Sequence, residues 1–292
     1  MSSKSDVGLE SKTGVVKEGA AVATIAMMTD FGLKDGNVGV MKGVIWGICP
    51  EAQIADVSHL INPQNVAEAG LILLRSAPYF PDGTVHLVVV DPGVGTKRRP
   101  MAGHLGNAYF VGPDNGIITL WLESLRTQGQ PFEFVELDRP EYWLPVVSHV
   151  FHGRDIFAPT AAHLAKGVPL KQLGTPISDP VVLPLSRPKR DGNTWRGEVI
   201  HIDHFGNIAS NIRVEHLGKD LRDREKMVVR LGNTRIDGLV DTFGARPAGT
   251  MVALMGSTGN LIISVVNGSA ASQLRPKIGD LVMVELPSGG NE

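Results

Sequence analysis

The run GTVHLVVVD, residues 83–91, constrains this chain more than any other stretch. It is apolar at nearly every position rather than at every second one. As a strand it must therefore be covered on both faces, the condition of a largely parallel sheet flanked by helices. The run ends on Asp91, passes through PGVG and reaches Lys97, Arg98 and Arg99 almost at once. A buried strand, a tight turn and a cluster of charge thus follow one another directly.

The segments on either side alternate in the same way. ATIAMMTDFG, from Ala23, reads as a strand opening into a turn, DGNVGVMKGVIWGI as a helix, AQIADVS as a strand and NVAEAGLILLRSAPYF as a second helix. Beyond the central run come a hairpin-like AYFVGPDNG, a helix near IITLWLESL and another around APTAAHLAKG. The expected fold over 23–182 is an α/β N-terminal domain with a largely parallel central sheet. After Val182 the texture changes: LPLSRPKRDGNTW is rich in proline, basic residues and turn formers, and 183–194 reads as a linker. The short segments RGEVIHIDHFGN, KMVVRLGNTRI, GTMVALMGST, NLIISVV and DLVMVELP predict a small antiparallel β-barrel C-terminal domain over 195–292. Residues 1–22 lack apolar periodicity and read as a mobile extension without chemistry.

Charge narrows the partners. Lys and Arg number 28 against 30 Asp and Glu in 292 residues, so no field of one sign draws the chain to nucleic acid or to an anionic membrane. A small-molecule partner is expected. No uninterrupted apolar run approaches the ~20 residues of a membrane span, and no signal peptide is legible at the N-terminus. The single cysteine, Cys49, excludes an internal disulfide, fits a reducing compartment and reads as a small buried hydrophobe. A cytoplasmic location is the expectation.

In open α/β sheets ligands gather beyond the carboxyl ends of the strands, where turns and helix N-termini present free N–H groups. Three turns fall there: TDFGLKDG with Asp30 and Asp35, DPGVGTKRR with Asp91 and Arg98, and FHGRDIFAP with His152, Arg154 and Asp155. GVGTK lacks the spacing of a phosphate-binding P-loop, and Gly93 and Gly95 are followed by Arg98 where a dinucleotide fingerprint requires glycine. His59, His86, His104, His149 and His163 show no metal-ligand spacing, so neither metal nor cofactor is assigned. Asp30 and Asp155 also suit the plainer role of capping a helix start.

In order along the chain, TDFGLKDG, ADVSH, YFPDGTVHLVVVDPGVGTKRR, VGPDNG, FHGRDIFAP and DHFGN resemble S-adenosylmethionine hydrolases of the adenosine-forming type. These SAM hydroxide adenosyltransferases are related to the SAM-dependent fluorinase and chlorinase. The resemblance runs from about Ala23 to Ala271 and implies a homotrimer that binds SAM between one subunit's N-domain and its neighbour's C-domain. It implies a catalytic triad at Asp91, Arg98 and His152; because attacking water must lose a proton, His152 is the expected group to take it. It also implies that Asp30 binds the ribose hydroxyls, Phe205 and Asn207 the adenine, Asp203 the methionine ammonium, and Ser257 the amino-acid portion.

The related halogenases have tyrosine where Asp91 and His152 stand, and an arginine after the serine where this chain has Thr258. The implied reaction is hydrolysis of SAM to adenosine and methionine. A halogenase-like transferase and a non-catalytic SAM or adenosine sensor remain as alternatives.

Overall fold

The computed structural model describes residues 24–287, so the expected extension at 1–22 lies outside the described residues. The chain divides into two compact units, one up to Leu183 and the other from Pro184.

In the first unit the order is β1 (Thr24–Thr29), α1 (Asn37–Ile48), β2 (Gln53–Ser58), α2 (Val66–Ser76), β3 (Val85–Val89), β4 (Pro100–Leu105), β5 (Ala108–Pro113), α3 (Thr119–Gln128), β6 (Phe132–Glu136), α4 (Ala158–Ala165) and β7 (Thr175–Ile177). The seven strands form one sheet in the order β2-β1-β3-β5-β4-β6-β7. Pairing is parallel from β2 through β5 and antiparallel from β5 through β7. The α/β class expected from sequence is therefore found, with the parallel half carrying the crossover helices.

The central run shows why nearly all of it had to be apolar. Val85, Leu87 and Val89 join the core on one face with Met41 and Ile45 of α1 and Ala158 and Ala161 of α4, while Val88 and Val90 join the other with Leu73 of α2 and Leu122 of α3. Strand β4, PMAGHL, is not legible as a strand because Gly103 and His104 break its β-like pattern. It forms a hairpin with β5, and at Gly103 any side chain would strike the Phe134 ring across the sheet. Cys49 is wholly buried in the first core, and burial pushes its thiol pKa up. Arg99 clamps the end of the unit: it donates to Asp114 at 3.0 Å and to Asp179 at 2.8 Å, while Val181 N–H donates to Asp114 at 2.7 Å.

The second unit contains β8 (Lys189–Asp191), β9 (Thr194–Ile202), β10 (Ile208–Arg213), a short α5 (Val214–Leu217), β11 (Val228–Leu231), β12 (Thr234–Asp237), β13 (Met251–Met255), β14 (Asn260–Val265), α6 (Ala270–Leu274) and β15 (Leu281–Glu285). All its strand pairings are antiparallel, in the order β12-β11-β15-β9-β10-β14-β13 with β8 paired to β9. Leu239, just past β12, bridges to Ala253 of β13, so the sheet nearly closes into the expected barrel. Alternation fills it: Val282 and Val284 point into the core with Val199, Ile263 and Val229. The stretch Lys189–Asp191, expected in the linker, pairs with Thr194–Arg196 as a hairpin.

His86 of β3 is 1% exposed, packed edge to face between Phe80 and Trp121, and both its ring nitrogens lack a hydrogen-bond partner. Burial pushes its pKa down from 6.5 to about 4. The unfolded chain therefore binds a proton that the folded one refuses across that interval. The contribution of a neutral His86 is complete above pH 6.5 and is lost as pH falls toward 4. Urea denaturation should show the wild type losing up to about 3 kcal/mol more than His86→Phe over that window. Equal pH dependence in both would refute it.

Candidate functional site

Strand β3 delivers Asp91 to its carboxyl end, and the turn that follows brings Arg98 back to it. Val94 N–H bonds to the Asp91 carbonyl at 3.2 Å, Thr96 N–H to that of Gly93 at 3.2 Å, and Thr96 Oγ1 to the same carbonyl at 2.7 Å. Gly95 is indispensable on two counts. Its φ is +75°, and a Cβ there would collide with the carbonyl oxygen of His149. The turn thus presses against the segment leading to His152.

Arg98 grips Asp91 with both ends of its fork. Nε donates to Oδ1 at 3.0 Å and Nη2 donates to Oδ2, the two side chains being 7% and 6% exposed. Nη2 also lies 3.2 Å from His152 Nδ1, and the guanidinium sits over the Phe157 ring at 5.3 Å. Nη1 is buried and has no hydrogen-bond partner. An arginine has only donors, so Nδ1 of His152 must accept, and the proton of the neutral imidazole belongs on Nε2. Burial first, and then the Arg98 charge, push the His152 pKa below 6.5 against the opposing pull of Asp91 and Asp155.

His152 stands at the head of a π-helical turn, Gly153–Phe157, that runs into α4. Asp155 in that turn is fully buried. It accepts from Ser148 N–H at 2.8 Å and from Arg154 at 2.5 and 3.0 Å, so it ties the approach segment to the turn. Burial and a wide turn, rather than a helix cap, account for this aspartate.

Asp30 follows β1 directly. Thr29 pairs with Val89 across the sheet, so Asp30 and Asp91 emerge from adjacent parallel strands at the same end. Asp30 Oδ2 accepts from Gln64 N–H at 2.7 Å. The next residue, Phe31, meets Phe151 edge to face at 5.7 Å, one residue before His152. The first unit therefore brings together Asp30, Asp91, Arg98 and His152. Phe157 and Phe151, which brace this cluster, were not singled out from sequence, although both lie within FHGRDIF or beside it.

The remaining residues expected at the site belong to the second unit. Asp203, Phe205 and Asn207 occupy the β9–β10 turn. Asp203 Oδ1 accepts from Phe205 N–H at 2.9 Å and Asn207 N–H at 2.8 Å, and Oδ2 accepts from the Asn207 amide at 2.7 Å. Ser264 Oγ donates to Asn207 Oδ1 at 2.5 Å. The turn is thus rigid, and it holds Phe205 74% exposed. Ser257 lies in the β13–β14 turn, before β14 begins at Asn260, whereas Ser264 lies near that strand's far end; the strand from Asn260 to Ser264 alone spans about 13 Å. Within the second unit, Ser257 and Phe205 are not neighbours.

Gly95→Ala should displace the His149–His152 segment, lower stability by about 1 to 3 kcal/mol and remove activity. Thermal melts with turnover assays check this, and a stable, fully active variant would contradict it.

Residues 25–174 match the SAM hydroxide adenosyltransferase N-terminal domain and residues 197–283 the SAM hydroxide adenosyltransferase C-terminal domain. A protein of Salinispora tropica named (R)-S-adenosyl-L-methionine hydrolase is 40% identical over 89% of this chain and 97% of its own length. One of the same name from Thermus thermophilus is 39% identical over 87% of this chain and 96% of its own. A fluorinase of Nocardia brasiliensis is 27% identical over 90% and 96% respectively. Among solved structures, an uncharacterized conserved protein of Thermotoga maritima superposes with a TM-score of 0.82 at 38% identity, covering 89% of this chain and 99% of that one.

Proposed function

The chain belongs to the SAM hydroxide adenosyltransferase family, and from that premise we propose that it hydrolyses S-adenosyl-L-methionine to adenosine and L-methionine. The oxygen of water or hydroxide attacks ribose C5′ in line with the C5′–S bond. That bond breaks, its electron pair stays on sulfur, and methionine leaves as a neutral thioether. When water is the nucleophile, the new C5′–O bond leaves a positively charged oxygen that passes one proton to bulk solvent; hydroxide needs no such step.

The observation that carries the reading is the Asp91–Arg98–His152 cluster. Arg98 Nη1 is a buried donor without a partner, and His152 offers a second donor at Nε2. Bulk water has a pKa of about 15.7, so its oxygen needs donors to stabilise hydroxide character. Asp91 balances the guanidinium charge and fixes its orientation. This assignment departs from the sequence expectation that His152 takes the proton: with Nδ1 committed to Arg98, the ring serves as a donor to the nucleophilic oxygen.

Asp30, one of whose oxygens already holds Gln64 N–H, would accept from the ribose hydroxyls with the other. Phe205 would stack on adenine and Asn207 meet its edge from a neighbouring subunit, in a homotrimer. An aromatic ring held out on a rigid turn supports that role. Ser257, a strand's length away, would meet the amino-acid end. Asp203 would chiefly hold the Phe205 turn, its remaining acceptor site open to the substrate ammonium. Among the described residues no helix is long and apolar enough to cross a membrane. The lone cysteine supports a cytoplasmic setting.

Incubation with SAM and no added halide should release adenosine, read by chromatography. Binding without conversion would overturn the reading. His152→Gln, which keeps a donor but no base, should retain at least about tenfold more turnover than His152→Ala; equal losses would restore the base. Turnover should fall on the acid side below pH 6.5, because a protonated Nδ1 would face Arg98.

Light scattering should show a trimer, and Phe205→Ala should weaken SAM binding by about 1 to 3 kcal/mol. A fully active monomer would refute the shared site.

A further inference from the structure

The turn that carries Asp30 rests on a chain of polar side chains that no role above uses. Lys42 of α1 donates to Asp56 Oδ2 at 2.7 Å, and Asp56 Oδ1 lies 3.0 Å from His59 Nε2. His59 Nδ1 is 2.9 Å from Thr29 Oγ1, and that oxygen accepts from Phe31 N–H at 3.2 Å. His59 is 4% exposed and Thr29 fully buried. The carbonyl of His59 also accepts from Gly32 N–H at 2.8 Å, so the residue holds the turn through main chain and side chain alike.

The chain has one consistent polarity. Thr29 Oγ1 receives the Phe31 N–H and could still either donate to or accept from His59 Nδ1. The Asp56 carboxylate, an acceptor only, draws the neutral imidazole's proton to Nε2, so Nδ1 accepts from the Thr29 hydroxyl. The imidazole proton thus faces the Asp56 carboxylate. That contact is off the line of a good hydrogen bond, so its attraction is chiefly electrostatic. Partial burial pushes the Asp56 pKa up, but the hydrogen bond and charge of Lys42, with the His59 ring facing the carboxylate, outweigh it and hold the carboxyl below its usual range. An apolar pair at positions 29 and 59 would avoid the desolvation cost of burying polar side chains but would leave Phe31 N–H without this acceptor. The polar pair is therefore explained by what it orients.

We propose that His59 is a positioning residue for substrate binding: through Thr29 it holds the Asp30–Phe31 turn so that the Asp30 carboxylate meets a pair of vicinal hydroxyls on the substrate. The inference rests on the hydrolase reading and on Asp30 as the hydroxyl acceptor. Its effect falls on binding, because none of Lys42, Asp56, His59 and Thr29 touches the Asp91–Arg98–His152 cluster in the contacts described above.

The test uses the full chain with Thr29→Val, Thr29→Ser, His59→Leu and the double variant Thr29→Val with His59→Leu, assayed for SAM hydrolysis beside thermal melts. Thr29→Val and His59→Leu should each raise KM about tenfold with kcat within about threefold of wild type. Thr29→Ser should restore KM, and the double variant should be no worse than the poorer single one. An unchanged KM in folded variants, additive losses, or a fall in kcat that tracks Tm would overturn the proposal. If His59→Leu does not fold, Asp56→Asn carries the same expectation of a raised KM, and the wild-type value would overturn it. Wild-type protein releasing no adenosine would defeat the hydrolase reading separately. Calorimetry with adenosine then decides: weaker binding by Thr29→Val upholds the positioning role, and equal or absent binding by wild type and variant overturns it.

Discussion

A guanidinium locked into both oxygens of a buried carboxylate is the constraint on which the first unit's site depends. Taking two charges out of water costs several kcal/mol each, and only close, forked pairing offsets it. Arg98 and Asp91 achieve that pairing at the end of the most buried strand. The fork occupies Nε and Nη2, so Nη1 is left as a donor that the protein does not satisfy. A fully satisfied arginine would be inert here; the unsatisfied nitrogen is what a substrate oxygen can use.

The rest of the first unit can be understood as support for that pair. The turn between Asp91 and Arg98 closes only because Gly95 admits the His149 carbonyl, which brings the next turn against it. The π-helical turn then sets His152 at hydrogen-bonding distance from Arg98, with Asp155 buried beneath. Phe31, Phe151 and Phe157 fill the space around the charges with rings, limiting water while offering π faces to cations. Such a cluster is rigid by construction, as electrostatic preorganisation requires.

The second unit solves a different problem. Its barrel core is mostly aliphatic, with Ser210, Asn260 and Ser264 buried on its strands, and the candidate binding residues lie in hairpin turns. Asp203 spends most of its acceptor capacity on its own turn, and Gly206 passes so close to Ser269 that no side chain fits. The product is an exposed phenylalanine on an immobilised loop. A loop ordered in this way would lose little further entropy on meeting a ligand.

Much of this was legible in the sequence. A strand apolar at nearly every step demands two covering layers, and β3 has them. The turn residues after β1 and β3, and FHGRD before α4, lie where strand ends and helix starts place chemistry, and the motifs from TDFG to DHFGN carried the family. Other features depended on distance in space. PMAGHL became a strand because β5 and β6 flank it, a fact its own composition does not express. Asp155 is held by the Ser148 backbone, seven residues earlier, and Asp203 by the curl of its own hairpin, contacts that no local pattern expresses. The proton on His152 was decided by which nitrogen Arg98 reaches, and the Lys42–Asp56–His59–Thr29 chain by the parallel pairing of β1 with β2. Local pattern determines which residues are buried and where turns fall, because hydrophobic periodicity is a property of neighbours in the chain. Hydrogen-bond direction belongs to neighbours in space, and only the folded sheet supplies those.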